Sequence, residues 1–281
     1  MGNAIATLRL GDHVGLPFSS DRERLSAMAA FAAAGLRGRY KVLVLTTVED
    51  PSTLHARLAE RVARYRPAAA AGQVEIVPGE AVYLADGRFD GDRMLEVFAE
   101  TMDQTEQQGY AGLWVSADTT WAADGSHNAS LTAYETDINA LFTSGRMAAV
   151  CQYDRRLFDA GTLAEVCSAH PIIANGAAFR FAPMEDPPGL VLTGELDGTN
   201  RRAFAAVLAP LANVPAPLLI DAGGVIHSGV EATAMLARLA VLRGGYPTTI
   251  ICRPQLRRLL HLVDTTRALR VRGPNGEAPY V

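Results

Sequence analysis

A histidine and a cysteine, His13 and Cys151, are the residues of this sequence whose chemistry depends most on whether the fold brings them together. The neighbouring carboxylate of Asp12 can fix the imidazole tautomer and make His13 a donor, a base or a metal ligand. Cys151 closes a short apolar run, and a cysteine on a buried strand is most often a small hydrophobic side chain. The alternative is that His13 only forms a hydrogen bond to the backbone. The sequence does not fix the distance between His13 and Cys151.

Polar residues follow Cys151 directly, among them Tyr153, Asp154 and Arg155. The apolar run Met147–Cys151 predicts a strand buried on both faces, as in a parallel sheet. Open α/β sheets bind their ligands at the carboxyl ends of the strands, so this polar group predicts a ligand site. The alternative is a solvated turn in which Asp154 neutralises the arginines.

Asp118 and Trp121 follow the end of another predicted strand. A carboxylate beside an aromatic wall suits a small pocket, although a tryptophan in a loop also serves to cover a core. Tyr134 and Glu135, on a predicted helix over residues 129–142, are expected to reach the same region. The predicted ligand-binding residues are His13, Asp118, Trp121, Tyr134, Cys151, Tyr153, Asp154 and Arg155.

The loop after the first predicted strand, Phe18 to Asp21, lacks the glycines of a phosphate-binding loop and places an acid where a phosphate would lie. The single lysine, Lys41, starts a strand and belongs to no GxxxxGK[ST] pattern. Phosphate cradles need free backbone N–H groups and a cation, so ATP hydrolysis is not expected. Three cysteines without CxxC spacing predict neither disulfides nor a Cys-rich zinc site. The prediction is no metal and no cofactor.

Length and composition predict two globular domains, since the chain has 281 residues of which 49% are hydrophobic. No apolar run reaches the roughly 18 residues of a membrane helix, and the N-terminus lacks a signal-peptide pattern, so a cytoplasmic protein is expected. The net charge is −4. Because no dense basic run is interleaved with aromatic residues, neither nucleic acid nor membrane is an expected partner.

Strands alternate with helices through the first two thirds of the chain, which predicts an α/β fold with a parallel sheet and flanking helices. The segment MEDPPG, residues 184–189, combines two prolines, two acids and a glycine, and is predicted to be a linker. A second β-α-β-α-β-α pattern follows it. The predicted domains are therefore residues 1–183 and the smaller 190–281.

The first domain resembles the MEDS family, the sensory domain named after the dichloromethane-responsive repressor DcmR. The resemblance rests on GDHVGLPF, KVLVLTT, FDGDRML, GYAGLWVSADTTWA, YETDINALF and CQYDRRLF, in this order. It implies a degenerate RecA/KaiC-like fold without the phosphate loop, and binding of small hydrocarbon-derived ligands. Family members often pair a histidine of the first strand with a nearby cysteine. His13 matches, but Gly15 stands where that cysteine is expected, which leaves Cys151 as the family-like thiol.

The second domain resembles the STAS fold of anti-sigma factor antagonists, on the segments LVLTGELDGTNRRAF, LLIDAGGV, MLARLA and TTIICRPQLRRLLHLV. The resemblance implies an anti-sigma factor or related regulatory protein as partner. Such domains are phosphorylated on a serine that opens a helix, and a gapless alignment from Asp221 places Glu231 at that position. Glu231 would either imitate the phosphorylated state in part or mark the loss of the switch.

These features predict a non-enzymatic cytoplasmic regulator of transcription, in which the first domain binds a small ligand and the second engages an anti-sigma-type partner. Two alternatives stay open. One is an enzyme with Cys151 as nucleophile and His13 as base, and the other is a module that binds nucleotide without hydrolysing it. A homodimer is compatible with both fold types.

Overall fold

The structure is a computed structural model that describes residues 5, 7–264 and 266–274. The chain divides into two compact units, unit 1 over Met1–Asn175 and unit 2 over Gly176–Val281. Both units are mixed α/β, as the sequence predicts. Among the described residues, every helix is too short or too polar to cross a bilayer.

Unit 1 is built on a six-stranded sheet in the order β3-β2-β4-β5-β1-β6, with every neighbouring pair parallel. Its strands are β1 (His13–Phe18), β2 (Lys41–Thr46), β3 (Val74–Pro78), β4 (Leu113–Asp118), β5 (Met147–Asp154) and β6 (Ile172–Ile173). The central strands β1, β4 and β5 are buried at every residue. Strands covered on both faces explain why the sequence reads as continuous apolar runs rather than alternating ones.

Eight helices of unit 1 connect these strands within the described residues. They are α1 (Asp21–Arg37), α2 (Pro51–Ala59), α3 (Tyr65–Ala70), α4 (Gly79–Tyr83), α5 (Gly91–Gln107), α6 (Asn128–Asp137), α7 (Asn139–Phe142) and α8 (Ala160–Ser168). Side-chain caps fix several helix starts: Ser20 accepts from the Glu23 N–H, and Asp50 accepts from the Ser52 N–H. Caps of this kind depend only on residues that are close in sequence.

Unit 2 has a five-stranded sheet in the order β11-β10-β9-β8-β7. The strands are β7 (Phe179–Glu185), β8 (Pro188–Leu196), β9 (Leu218–Ser228), β10 (Thr248–Cys252) and β11 (Leu269–Arg272). Only the β7–β8 pair is antiparallel. The helices are α9 (Arg201–Leu208), α10 (Val230–Leu242) and α11 (Pro254–Val263). Leu192, Phe204, Ile220, Leu236 and Ile250 are fully buried between sheet and helices.

The linker prediction for residues 184–189 is corrected by the β7–β8 hairpin. Met184 and Glu185 end β7, Pro188 and Gly189 begin β8, and Met184 pairs with Gly189. Proline and glycine mark a tight turn here rather than a flexible connection, because a hairpin turn and a linker share the same composition. Gly189 is required for packing, since a Cβ at this position would overlap the carbonyl of Leu219 on β9.

Candidate functional site

Four side chains with metal-ligating or titratable atoms meet in the core of unit 1: His13, Glu135, Cys151 and His170. We call them the His-Glu-Cys-His cluster. Each offers one ligand atom, and these atoms all lie within 4.8 Å of one another. The residues are between 0% and 6% exposed, so the cluster is closed to solvent. Polar groups at this depth are costly to bury unless they are paired, which marks the cluster as a functional candidate.

The parallel pairing of β1 with β5 creates the first half of the cluster. His13 lies opposite Ala149, and Gly15 lies opposite Cys151. Because alternate residues of a strand share a face, His13 and Cys151 point to the same side of the sheet. Helix α6 adds Glu135, and the turn after α8 adds His170. The cluster therefore lies on the face of the sheet under these helices, and not at the carboxyl edge where the sequence predicted the site.

The His13 imidazole lies between the Asn139 carboxamide on one side and the Glu135 carboxylate and Cys151 thiol on the other. Its Nδ1 lies 3.2 Å from Asn139 Oδ1. The Asn139 amide is oriented by its other end, which donates to the carbonyls of Glu135, Thr136 and Ala169. Nδ1 must therefore donate its proton to Asn139, a role that the sequence had suggested for Asp12. This leaves Nε2 facing Glu135 Oε2 at 3.2 Å and Cys151 Sγ at 3.5 Å.

The His170 imidazole is oriented in the same way. Its Nδ1 donates to the Val166 carbonyl at 2.9 Å, because a carbonyl can only accept. Its Nε2 lies 3.5 Å from Glu135 Oε2 and has no hydrogen-bond partner among the described residues. Burial and the neighbouring His13 lower the pKa of His170 to about 3, so this imidazole is neutral and Nε2 carries a lone pair.

Glu135 is the centre of the cluster. Its Oε1 accepts the Tyr153 hydroxyl at 2.6 Å, while its Oε2 faces the two histidines and the thiol of Cys151 at 3.6 Å. Burial alone would raise the pKa of Glu135, but the hydrogen bonds with His13 and the Tyr153 hydroxyl hold it below its ordinary value. Glu135 is therefore a buried carboxylate anion.

His170 and Asn139 were missed by the sequence-based prediction of the site. His170 stands in a turn between α8 and β6, and its place depends on the pairing of β6 with β1. The sequence feature that could have indicated His170 is Gly15, which stands where the family resemblance predicts a cysteine. A Cβ at Gly15 would lie 3.1 Å from His170 Cγ. The missing side chain thus leaves the space that the His170 ring occupies.

Trp121 and Tyr134 lie in an aromatic layer beside the cluster rather than in direct contact with its ligand atoms. Trp121 stacks on Tyr83 with ring centroids 5.1 Å apart and packs on Phe89 at 4.6 Å, and Phe89 meets Tyr134 edge-on at 5.4 Å. Tyr83, Trp121 and Tyr134 belong to the same hydrophobic core cluster as Cys151. The Trp121 Nε1 is buried without a hydrogen-bond partner among the described residues.

The remaining predicted residues lie outside the cluster. Asp118 organises a loop, since it accepts from the backbone N–H groups of Thr47, Val48 and Thr120. Asp154 forms an ion pair with Arg156, which lowers the pKa of the carboxyl group. Arg155 is exposed. The carboxyl end of β5 therefore fits the alternative interpretation better, in which this segment is a turn whose arginines are neutralised by Asp154.

Two N–H groups where β1 connects to α1 are occupied by side chains of the same segment. Ser19 N–H donates to Glu23 Oε2 at 2.7 Å, and Glu23 N–H donates to the Ser20 hydroxyl at 3.3 Å. Asp21 lies in the first turn of α1 and pairs with Arg156. These groups occupy the donors and the charge position that a nucleotide phosphate would need, so the geometry does not favour the nucleotide-binding alternative.

Comparison with known proteins gives a match to one family model and matches among solved structures. The model of the MEDS family, described as the methanogen/methylotroph, DcmR sensory domain, matches residues 12–171. No curated protein matches the sequence. The crystal structure of the flagellar accessory protein FlaH from Methanocaldococcus jannaschii aligns with 10% identity and a TM-score of 0.41, covering 62% of this chain and 73% of that chain.

Proposed function

The chain belongs to the MEDS family of sensory domains, and on this premise we propose that it is a cytoplasmic, non-enzymatic regulator of transcription. Unit 1 binds a small ligand at the His-Glu-Cys-His cluster and the adjoining aromatic layer. Unit 2 passes the signal to an anti-sigma factor or a related protein. Ligand binding must favour one state of the chain over another, because equal affinity for both states shifts nothing.

The buried cluster is the observation that carries this proposal. A carboxylate, two imidazoles and a thiol lie in the core of unit 1, where Phe142 stacks on His13 and Cys151 shares a hydrophobic cluster with Met147 and Ala149. Burying such groups disfavours folding unless they are fully paired, and His170 Nε2 is not. A fold has no need of this arrangement for stability alone, so a role in binding explains it better than packing does.

The state of Cys151 supports a binding role over the enzymatic alternative. Burial, followed by the charge of Glu135, raises the pKa of the Cys151 thiol well above its ordinary value. A nucleophilic cysteine needs a thiolate and access for its substrate. Cys151 is 6% exposed, and the nearest base, His13, already faces the Glu135 carboxylate.

Slow alkylation of Cys151 is therefore expected when the metal-free protein is treated with iodoacetamide at neutral pH. Cys167 is less buried, and we expect it to react at least roughly tenfold faster than Cys151 because access limits the reaction. Peptide mass spectrometry over a time course measures both rates in one sample. Fast modification of Cys151 that is suppressed in a His13→Ala variant would instead favour the enzyme.

The proposed role of unit 2 draws on the STAS resemblance and on the start of α10. Strand β9 runs to Ser228, and Gly229 precedes the helix. Glu231 is exposed in the first turn of α10, where the helix dipole favours a carboxylate. Ser228 is buried and its hydroxyl lies 3.0 Å from the Thr233 hydroxyl. An exposed Glu231 beside a buried Ser228 suits a partner surface with a fixed negative charge rather than a phosphorylation switch.

Hydrogen exchange on the full chain tests the sensory role, with dichloromethane and methanol as probes. We expect a bound probe to slow exchange in α6 and β5 and to change exchange in α10. The Cys151→Ser variant should lose the response, whereas Cys167→Ser, in the same unit but outside the cluster, should keep it. Unchanged exchange in both units with both probes would contradict ligand sensing. A response confined to unit 1 would contradict signalling through unit 2.

A further inference from the structure

Four separations between ligand atoms of the cluster are close to those around a four-coordinate metal ion, and all of its ligand atoms lie within 4.8 Å of one another. Bonds of 2.0–2.3 Å to nitrogen, oxygen and sulfur place the ligand atoms of a tetrahedral zinc ion about 3.3–3.8 Å apart. Here His13 Nε2 lies 3.2 Å from Glu135 Oε2 and 3.5 Å from Cys151 Sγ. Glu135 Oε2 lies 3.6 Å from Cys151 Sγ and 3.5 Å from His170 Nε2.

The hydrogen bonds around the cluster turn one nitrogen of each histidine towards its centre. Asn139 and the Val166 carbonyl accept from Nδ1 of His13 and His170, so that Nε2 is the ring nitrogen that faces the other ligand atoms. Metal-binding histidines are held by the same kind of bond from the other ring nitrogen. The Tyr153 hydroxyl holds Glu135 Oε1 in a similar way and leaves Oε2 free to coordinate.

Without a cation this arrangement brings acceptors against one another. The lone pair of His170 Nε2 faces the negative Glu135 Oε2 at 3.5 Å, and no donor satisfies this nitrogen among the described residues. A divalent ion between the two atoms would pair both of them. With a thiolate, a carboxylate and two neutral imidazoles the site would carry no net charge, which suits its complete burial.

From these observations we infer that the His-Glu-Cys-His cluster is a transition-metal site that takes Zn²⁺, with His13 Nε2, His170 Nε2, Glu135 Oε2 and Cys151 Sγ as its ligands. Two imidazoles, one thiolate and one carboxylate form a borderline-soft set that suits zinc rather than magnesium or calcium. A role of this ion in sensing rests on the proposed function, whereas the inference that the cluster binds the ion does not. Cysteine spacing gave no hint of it because the four ligands come from four separate parts of the chain.

Zinc binding by the full chain tests this inference directly. The protein is treated with chelator, exchanged into metal-free buffer, incubated with zinc chloride and passed through gel filtration before bound metal is measured. We expect one zinc per chain in the wild type and in Cys167→Ser. Cys151→Ser and His170→Gln should each weaken zinc binding by more than about 100-fold, because they remove a ligand.

Cobalt substitution gives a second readout, which in the wild type does not depend on the folding of any variant. Co²⁺ bound to the wild type should show the intense visible bands of a four-coordinate site and a thiolate-to-cobalt charge-transfer band in the near ultraviolet. Cys167→Ser should keep the charge-transfer band and Cys151→Ser should lose it. Wild-type protein that retains no zinc, or cobalt spectra without a thiolate band, would overturn the inference. Equal zinc binding by wild type, Cys151→Ser and His170→Gln would also overturn it.

The metal measurements use no organic ligand and no partner protein, so their outcome is separate from that of the sensory test. Stoichiometric zinc with unchanged hydrogen exchange towards dichloromethane and methanol would keep the metal site and reject the proposed sensing. A probe response in a chain that binds no zinc would reject the metal site and keep the sensing.

Discussion

Replacing Glu135 by alanine in the metal-free protein is expected to lower the free energy of unfolding of unit 1 by about 3–5 kcal/mol. The substitution removes the acceptor of the Tyr153 hydroxyl, which is fully buried, and a buried hydroxyl without a partner costs about 1–3 kcal/mol. It also removes the carboxylate that lies 3.2 Å from His13 Nε2, and it leaves a cavity at a position that is 1% exposed.

Urea unfolding followed by tryptophan fluorescence measures this effect. The chain has two tryptophans, and both Trp114 and Trp121 lie in unit 1, so the signal reports on that unit alone. Glu135→Gln keeps the side-chain volume and an acceptor for Tyr153, and should lose about half as much. Glu100→Ala, on an exposed face of α5, should stay within about 0.5 kcal/mol of the wild type. A loss below about 1 kcal/mol for Glu135→Ala would show that the carboxylate is not integral to the core.

Replacing Arg243 by alanine is expected to cost unit 2 about 3–4 kcal/mol, from three hydrogen bonds of a buried cation. Arg243 is 4% exposed, and its guanidinium donates to the Leu211 carbonyl at 2.5 Å, to Thr248 Oγ1 at 3.0 Å and to the Ala216 carbonyl. Burial lowers the pKa of Arg243, but the group stays charged at neutral pH. Alanine would leave both carbonyls without this donor.

Amide hydrogen exchange resolves the loss of stability in unit 2, which contains no tryptophan. The slow amides of β9 and β10 should exchange faster in Arg243→Ala by the factor that corresponds to the lost free energy, about 100-fold or more. Arg243→Lys keeps the charge and part of the bonding, so a smaller effect is expected. Arg238→Ala, an exposed arginine of the same helix, provides the reference. Equal exchange in Arg243→Ala and Arg238→Ala would contradict the prediction.

Local features of the fold could be predicted because they depend on neighbours in sequence. Caps such as Ser20 and Asp50 bond to amides two or three residues away. Buried parallel strands such as β5 are visible as apolar runs because both faces are covered. The segment 184–189 shows the limit of this approach, since its prolines and glycine fit a linker and a hairpin turn equally well. The antiparallel pairing of Met184 with Gly189 and of Glu185 with Pro188 decided between the two.

The sequence by itself determined the α/β class and the absence of a phosphate-binding loop. It also identified His13 and Cys151 as residues that could act together only if the fold brought them close. Only the tertiary structure brought them to 3.5 Å, because β1 pairs with β5 across 138 residues in a strand order that does not follow the chain. It also supplied His170, which occupies the space beside Gly15. Ligand atoms converge through strand pairing and helix packing, and such long-range contacts leave no periodicity or spacing in the sequence.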